Sequence, residues 1–481
     1  MLRGQVVRGV AWKVASSVVY QITRLIVAAV LAHLLSPHDY GLAAMVLVFS
    51  SLVVLFSDLG FGTALVHRPI LTEKDRSTVF WTSVGAGICF TAAGIALSWP
   101  IAAFYGEPAV QPLFAALSLG FLVASLSNTQ AALMTREMNF RTLELRDIAS
   151  SLTAGVVGIT LALRGYGAWA IIGQQITVAF VSALLLWVSS PWRPKFVYSL
   201  ASLRDLGGYS SNVFGARLLF YLNRNADNML IGRFLGSSAL GLYAVAYNLM
   251  LMPLSQISLP LQDVLFPAFA RMQDEKRRIA DAWLRANRLV ASLTVPAMLG
   301  LIAVAPEFVA VVLGGKWVEA VPIIQILAWV GLLQSLQGLN GSVLRAVDRT
   351  GTLLRYSLLV VGASLVAFVV GLPFGILGVA TAYAISSTIV EPCYAALTAR
   401  SVESSLWEYL RSLVGVVQAG LLMVAAVLAA RWALLELDAP ALVRLVALIG
   451  VGMAVYVPCL MWREPEVVAE ARDLRRRGLS G

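Results

Sequence analysis

Lys13, Ser17, Gln21 and Arg24 lie four, four and three residues apart inside one long apolar run, which is the spacing of a single helical face. Arg217, Tyr221, Arg224 and Asn228 repeat the arrangement inside another apolar run. The chemistry open to such faces is anion binding. A guanidinium presents a planar fork of donors that matches phosphate bidentately. A charge held in mid-bilayer costs about 2.5–3.5 kcal/mol on insertion scales, so it must face a cavity or a partner. Arg24, Arg224, Arg217, Gln21 and Asn228 are therefore the candidate substrate-binding residues. Plainer roles exist for some: Lys13 and Arg217 can snorkel to an interface, and Asp227 can pair with Arg224 three residues before it. Acidic residues within or bordering apolar runs are Asp58, Asp227, Asp263 and Glu391. Asp58, Asp227 and Glu391 are the candidates for coupling to a cation or proton. Asp58, in FSDLGFG, can instead cap a helix break. Glu391 precedes Pro392 and can hydrogen-bond backbone freed by the proline.

Other chemistries lack their residues. GGKW at 314–317 does not have the spacing of a phosphate-cradling loop, so direct ATP use is not expected. His33, His38 and His67 have no metal-ligand spacing, and there is no GxSxG elbow. No cofactor, metal or catalytic residue is expected, and short outer loops leave little surface for an enzyme site. Cys89, Cys393 and Cys459 sit in apolar segments, where buried free thiols act as small hydrophobes.

The elements that must position these residues follow from composition. Apolar residues make up 59% of the 481-residue chain and charged residues only 13%, against about 25% charged in soluble domains. Lipid must be one of its solvents. The net charge of +10 comes from short basic bursts between apolar runs and not from a basic domain, which excludes nucleic acid as a partner. Runs long enough to cross a bilayer lie near 10–35, 40–66, 77–99, 109–133, 147–163 and 167–190. A second set lies near 207–233, 239–268, 286–313, 321–345, 353–372 and 376–399, and two more near 412–434 and 441–462. The N-terminal segment has no small-residue cleavage site and reads as a retained first helix. With the N-terminus cytoplasmic, the large majority of the 36 Lys and Arg residues fall on the cytoplasmic side, as the positive-inside rule requires. Trp99, Trp187, Trp192, Trp317, Trp432 and Trp462 fall near span ends, where interface anchors are expected.

The two sets of six spans look like copies. HLLSPHDYGLAAM at 33–45 lies over RFLGSSALGLYAV at 233–245 without a gap, matching Gly41 with Gly241 and Arg24 with Arg224. SLSNTQAALMTR lies over SLQGLNGSVLRA, and RGYGAWA over LPFGILGVA. Six spans per copy make the repeat parallel, with a pseudo-two-fold axis along the membrane normal and the substrate route between the halves. The expectation is an all-α polytopic membrane protein of about 14 transmembrane helices. Residues 1–195 and 196–400 form two six-helix lobes, 401–462 two extra helices and 463–481 a charged cytoplasmic tail.

YLNRNADNMLIGRFLGSSALGLYAVAYNLMLMPLSQISLPLQDVLFPAFARMQ resembles the polysaccharide transporters related to the O-antigen and colanic-acid flippases, within the multidrug, oligosaccharidyl-lipid and polysaccharide exporter superfamily. SPHDYGLAAM, SDLGFGTALV, LTEKDRSTVFW, TREMNFR and YGAWAIIGQQ are similar to stretches of the same family. The resemblance runs from about residue 5 to 400. It implies a bacterial inner-membrane protein, both termini cytoplasmic, alternating between inward- and outward-open states. Its cargo would be an undecaprenyl-diphosphate-linked oligosaccharide for polysaccharide biosynthesis. It also implies that cavity arginines hold the diphosphate, a role suited to Arg24 and Arg224. Membrane lipid is the obligatory partner; a polysaccharide polymerase and glycosyltransferases are possible ones. The rivals are a multidrug or cation exporter, a peptidoglycan-precursor flippase, and a scramblase or structural member of a glycan-assembly complex.

Overall fold

The computed structural model describes residues 21, 23–57, 65–66, 71–200 and 211–465, with side chains at 52–57, 211–220, 222–224 and 263–264 left out of the description. Lys13, Ser17 and Asp58, the 201–210 part of the linker and the tail from 466 lie outside the described residues. So do the side chains of Arg217, Arg224 and Asp263.

Helices joined by short turns make up the described chain, with no strand among those residues. In order they are α1 (Thr23–Leu34), α2 (Pro37–Ser57), α3 (Glu73–Tyr105), α4 (Val110–Arg136), α5 (Phe140–Leu163) and α6 (Trp169–Ser189). There follow α7 (Ser211–Pro253), α8 (Leu259–Arg271), α9 (Lys276–Phe308), α10 (Ala320–Gln337) and α11 (Asn340–Ala346). The last four are α12 (Thr350–Gly371), α13 (Gly375–Ser401), α14 (Leu406–Glu436) and α15 (Ala441–Arg463). Ten helical segments among the described residues are long and apolar enough to cross a membrane. Helix boundaries carry their own chemistry. Thr72 and Asp75 form a reciprocal capping box that starts α3, and Ser36 and Asp39 exchange the same pair of bonds ahead of α2. Five-residue π-helical segments follow Pro253 and, three residues on, Pro306. Proline removes a donor from the ladder, and the helix re-registers around the loss.

Internal contacts divide the chain into two compact units, Met1–Gly241 and Leu242–Gly481. In the first, α3 and α4 meet along small residues. A Cβ on Gly87 or Gly94 would overlap the hydroxyl of Ser125 or Ser118, and Thr91 donates to the Ser118 carbonyl at 3.0 Å. Without a hydrophobic drive between helices in lipid, close backbone approach supplies the packing energy. The segment after Ser190 crosses α3 as an extended strap. Trp81 donates to the Lys195 carbonyl, and the Lys195 and Ser199 amides donate to Ser77 and Thr78.

In the second unit α14 and α15 dock on α9. Trp283, fully buried, stacks on Tyr409 at 4.9 Å and donates to Asn340 Oδ1 at 2.9 Å. Tyr456 donates to the Ser292 carbonyl at 2.8 Å. Two sequence expectations are corrected here. Trp317 is fully buried and not an interface anchor, because the turn after Gly314 folds it inward; Trp99, Trp432 and Trp462 are exposed near helix ends as expected. Cys89 and Cys393 are exposed and Cys459 half-buried, since an apolar helix face in lipid need not be covered by protein.

Candidate functional site

Gln21 and Arg24 precede and open α1; Gln21 is half-buried and the Arg24 side chain is exposed. On α7, Tyr221 donates to the carbonyl of Val48 and so ties α7 to α2; the side chains of Arg217 and Arg224 lie outside the described residues. Asp227 is 2% exposed and accepts from the Asn228 amide at 2.8 Å. Asn228 Oδ1 is buried with no hydrogen-bond partner among the described residues, an acceptor that needs a donor. Asp227 and Asn228 are thus adjacent on α7, while Arg24 lies in the first turn of α1 and Gln21 just ahead of it.

Glu391 sits in the second unit, nearly covered, where it accepts from the Tyr356 hydroxyl at 3.2 Å. That tyrosine stacks on Tyr394 with ring centroids 3.9 Å apart. A Cβ on Gly341 would lie 3.2 Å from the Tyr394 hydroxyl and 3.8 Å from Gln262 Nε2, so α8, α11, α12 and α13 converge on one polar cluster. The partner of the carboxylate is therefore a tyrosine from the preceding helix, α12. Tyr394 was legible as the residue one turn after Glu391, but Tyr356 is brought in only by the α12–α13 pairing. Replacing Tyr356 with Phe leaves a buried carboxylate oxygen without its donor, a loss of about 1–3 kcal/mol. Thermal unfolding in detergent should show Tyr356→Phe below the wild type, with Tyr394→Phe closer to it.

A second polar cluster in the first unit was missed by the sequence reading. His38 Nδ1 lies 2.7 Å from Ser237 Oγ, and Ser237 Oγ donates to Glu107 Oε1 at 2.8 Å. This gathers the α1–α2 turn, the α3–α4 turn and the break in α7 at Gly236, where φ is 85° and the helix stops. The α5–α6 turn reaches the same place: at Gly167 φ is +54° and a Cβ would lie 2.5 Å from Asp39 Oδ1. The available sequence sign was the match of SPHDYG with GSSALG.

An apolar groove of about 700 Å³ runs between α9, α14 and α15, lined by Leu293, Ala297, Met423, Ile449 and Met453 among others. No group of three or more metal-ligating side chains lies close together among the described residues.

The sequence profile of the family described as polysaccharide biosynthesis protein matches residues 30–322, more than half of the chain. The chain belongs to that family. The teichuronic acid biosynthesis protein TuaB of Bacillus subtilis is 30% identical over 391 residues, covering 80% of each chain. The lipopolysaccharide biosynthesis protein WzxC of Escherichia coli is 29% identical over 376 residues, covering 77% of this chain and 76% of its own. Among solved structures, the lipid II flippase MurJ in an inward closed conformation superposes with a TM-score of 0.73 at 14% identity, over 95% of this chain and all of that one. That likeness shows a shared fold. A polysaccharide biosynthesis protein built this way is a multi-pass membrane transport protein and not an enzyme.

Proposed function

We propose that the protein flips an undecaprenyl-diphosphate-linked oligosaccharide from the cytoplasmic to the outer leaflet of a bacterial inner membrane, by alternating access. The observation that carries this reading is the family match over residues 30–322, and a flippase fold supports it. Arg24, Arg224 and Arg217, with Gln21 and Asn228, hold the diphosphate. The sugars fill the hydrated route, and the prenyl chain stays in lipid. The apolar groove between α9, α14 and α15 is in keeping with an apolar chain lying against the bundle.

The span count supports the architecture. Two of the ten candidate segments, Asn225–Arg271 and Thr350–Ser401, hold 47 and 52 residues. Straight helices of that length would reach about 70 and 78 Å against a hydrocarbon core of about 30 Å. Each is broken, at Gly236 and at Leu372–Phe374, so each supplies two crossings. Counting both halves and adding α1 and α2 makes fourteen. The lobes are then 1–195 and 196–400, followed by two extra helices over 401–462, with both termini cytoplasmic. Polymerase and glycosyltransferase partners act on either side of the transfer step.

Outward transfer of an anion carrying roughly two charges is favoured by about 4–5 kcal/mol per 100 mV, inside negative. Asp58, Asp227 and Glu391 are the groups able to return a cation or proton inward. The test is reconstitution in liposomes with a polyprenyl-diphosphate-linked saccharide, read by modification of the sugar with an impermeant reagent. Transfer should accelerate when an inside-negative potential is imposed and slow when it is collapsed. No transfer above empty vesicles would overturn the reading, and transfer indifferent to potential would make the protein a scramblase.

A further inference from the structure

Pro37–Gly41 and Ser237–Gly241 occupy equivalent places in the two copies of the repeat, and they touch. A Cβ on Gly41 would overlap the Ser237 carbonyl, and one on Gly241 would overlap the Pro37 carbonyl. The contact is reciprocal: position i of one copy meets position j of the other, and j meets i. That is the signature of a two-fold contact. Only glycine lets backbones approach this closely, through Cα–H···O contacts. A polar tie stands beside the two glycines. His38 and Glu107, both from the first copy, hold the single Ser237 hydroxyl of the second. Since Ser237 donates its hydrogen to the Glu107 carboxylate, His38 Nδ1 is the donor to the Ser237 oxygen.

We propose that this seam closes the transport route on the outer side, and that it parts along the pseudo-two-fold line when the head group leaves. The proposal rests on the transport reading above. The seam's make-up suits a contact that must open and reform. At the two glycines the surfaces meet backbone to backbone with no side chain between them. The tie then supplies direction, because the hydroxyl fits its two partners in one register only. Asp39 is held by Ser36 and faces Gly167; all three are residues of the first copy, so this turn moves with that copy and does not cross the seam.

The experiment uses the full chain with Cys89, Cys393 and Cys459 replaced by Ser, carrying His38→Cys and Ser237→Cys, in the liposome assay. A short, reducible bifunctional thiosulfonate should join the two cysteines and bring transfer down to the level of empty vesicles, and reduction should restore it. A second measurement leaves the seam intact: Ser237→Ala cuts the tie and adds no atoms. It should speed impermeant maleimide labelling of a cysteine placed at Leu240, which is fully buried. Full transfer by the cross-linked protein, failure to cross-link, or unchanged labelling at 240 would each overturn the proposal. If the uncross-linked protein moved no lipid-linked saccharide, the transport reading would fall first. Labelling at 240 would still report whether the seam opens.

Discussion

Arg24→Ala combined with Arg224→Ala should abolish export of the lipid-linked glycan in a flippase-deficient strain, at membrane levels equal to wild type. Each arginine that meets the diphosphate contributes a charge-assisted contact of about 1.5–3 kcal/mol, so each single variant should weaken apparent affinity roughly 10- to 150-fold. The double variant loses both contacts at once. Lysine keeps the charge but not the fork, so Arg24→Lys should retain part of the activity that alanine loses. The competing role is structural: Arg224 balancing Asp227, which is almost wholly covered. Under that role Asp227→Asn would rescue Arg224→Ala. Full export by the double alanine variant, or rescue by Asp227→Asn, would remove these arginines from the substrate route.

The largest stability effect is expected at Arg431. Glu307 on α9 is 1% exposed and accepts from Arg431 Nε on α14 at 2.8 Å, with Arg444 Nε on α15 at 3.8 Å from the same oxygen. Its second oxygen is buried without a hydrogen-bond partner among the described residues. Removing one partner of a buried pair costs about 3–5 kcal/mol, because the other charge stays buried. Arg431→Ala should fall near 3 kcal/mol, at the low end of that range, since Arg444 remains. Glu307→Gln should cost less, because Arg431 and Arg444 are partly exposed and can reach an interface. Thermal unfolding in detergent should rank wild type, Glu307→Gln and Arg431→Ala in falling order. Arg431→Met with Glu307→Leu should recover most of the loss. Equal melting of the three would show that this cluster holds nothing together.

The cluster also shows where reading a sequence stops. Glu307, Arg431 and Arg444 stand far apart in the chain on three apolar runs, and no periodicity connects them. Their meeting depends on the rotation of α14 and α15 against α9. Tyr356 and Glu391 are a similar case, 35 residues apart and joined by helix pairing. Trp317 is the opposite case, where a local pattern pointed to an interface and a glycine turn placed the ring inside.

What the amino-acid order determined by itself was the solvent, the class and the rhythm of the chain. An apolar run of about twenty residues can satisfy its backbone in lipid only as a helix, so the breaks at Gly236 and at Leu372–Phe374 were readable as breaks. The in-register match of Gly41 with Gly241 was readable too, because equivalent turns keep their small residues wherever they end up. Tertiary structure alone decided that these two glycines meet each other, and that His38 and Glu107 close on Ser237. The physical reason is that helix propensity and hydropathy are properties of a segment, whereas a contact in lipid is chosen by shape. With no hydrophobic drive to sort one apolar face from another, the faces that meet are those whose backbones fit closest.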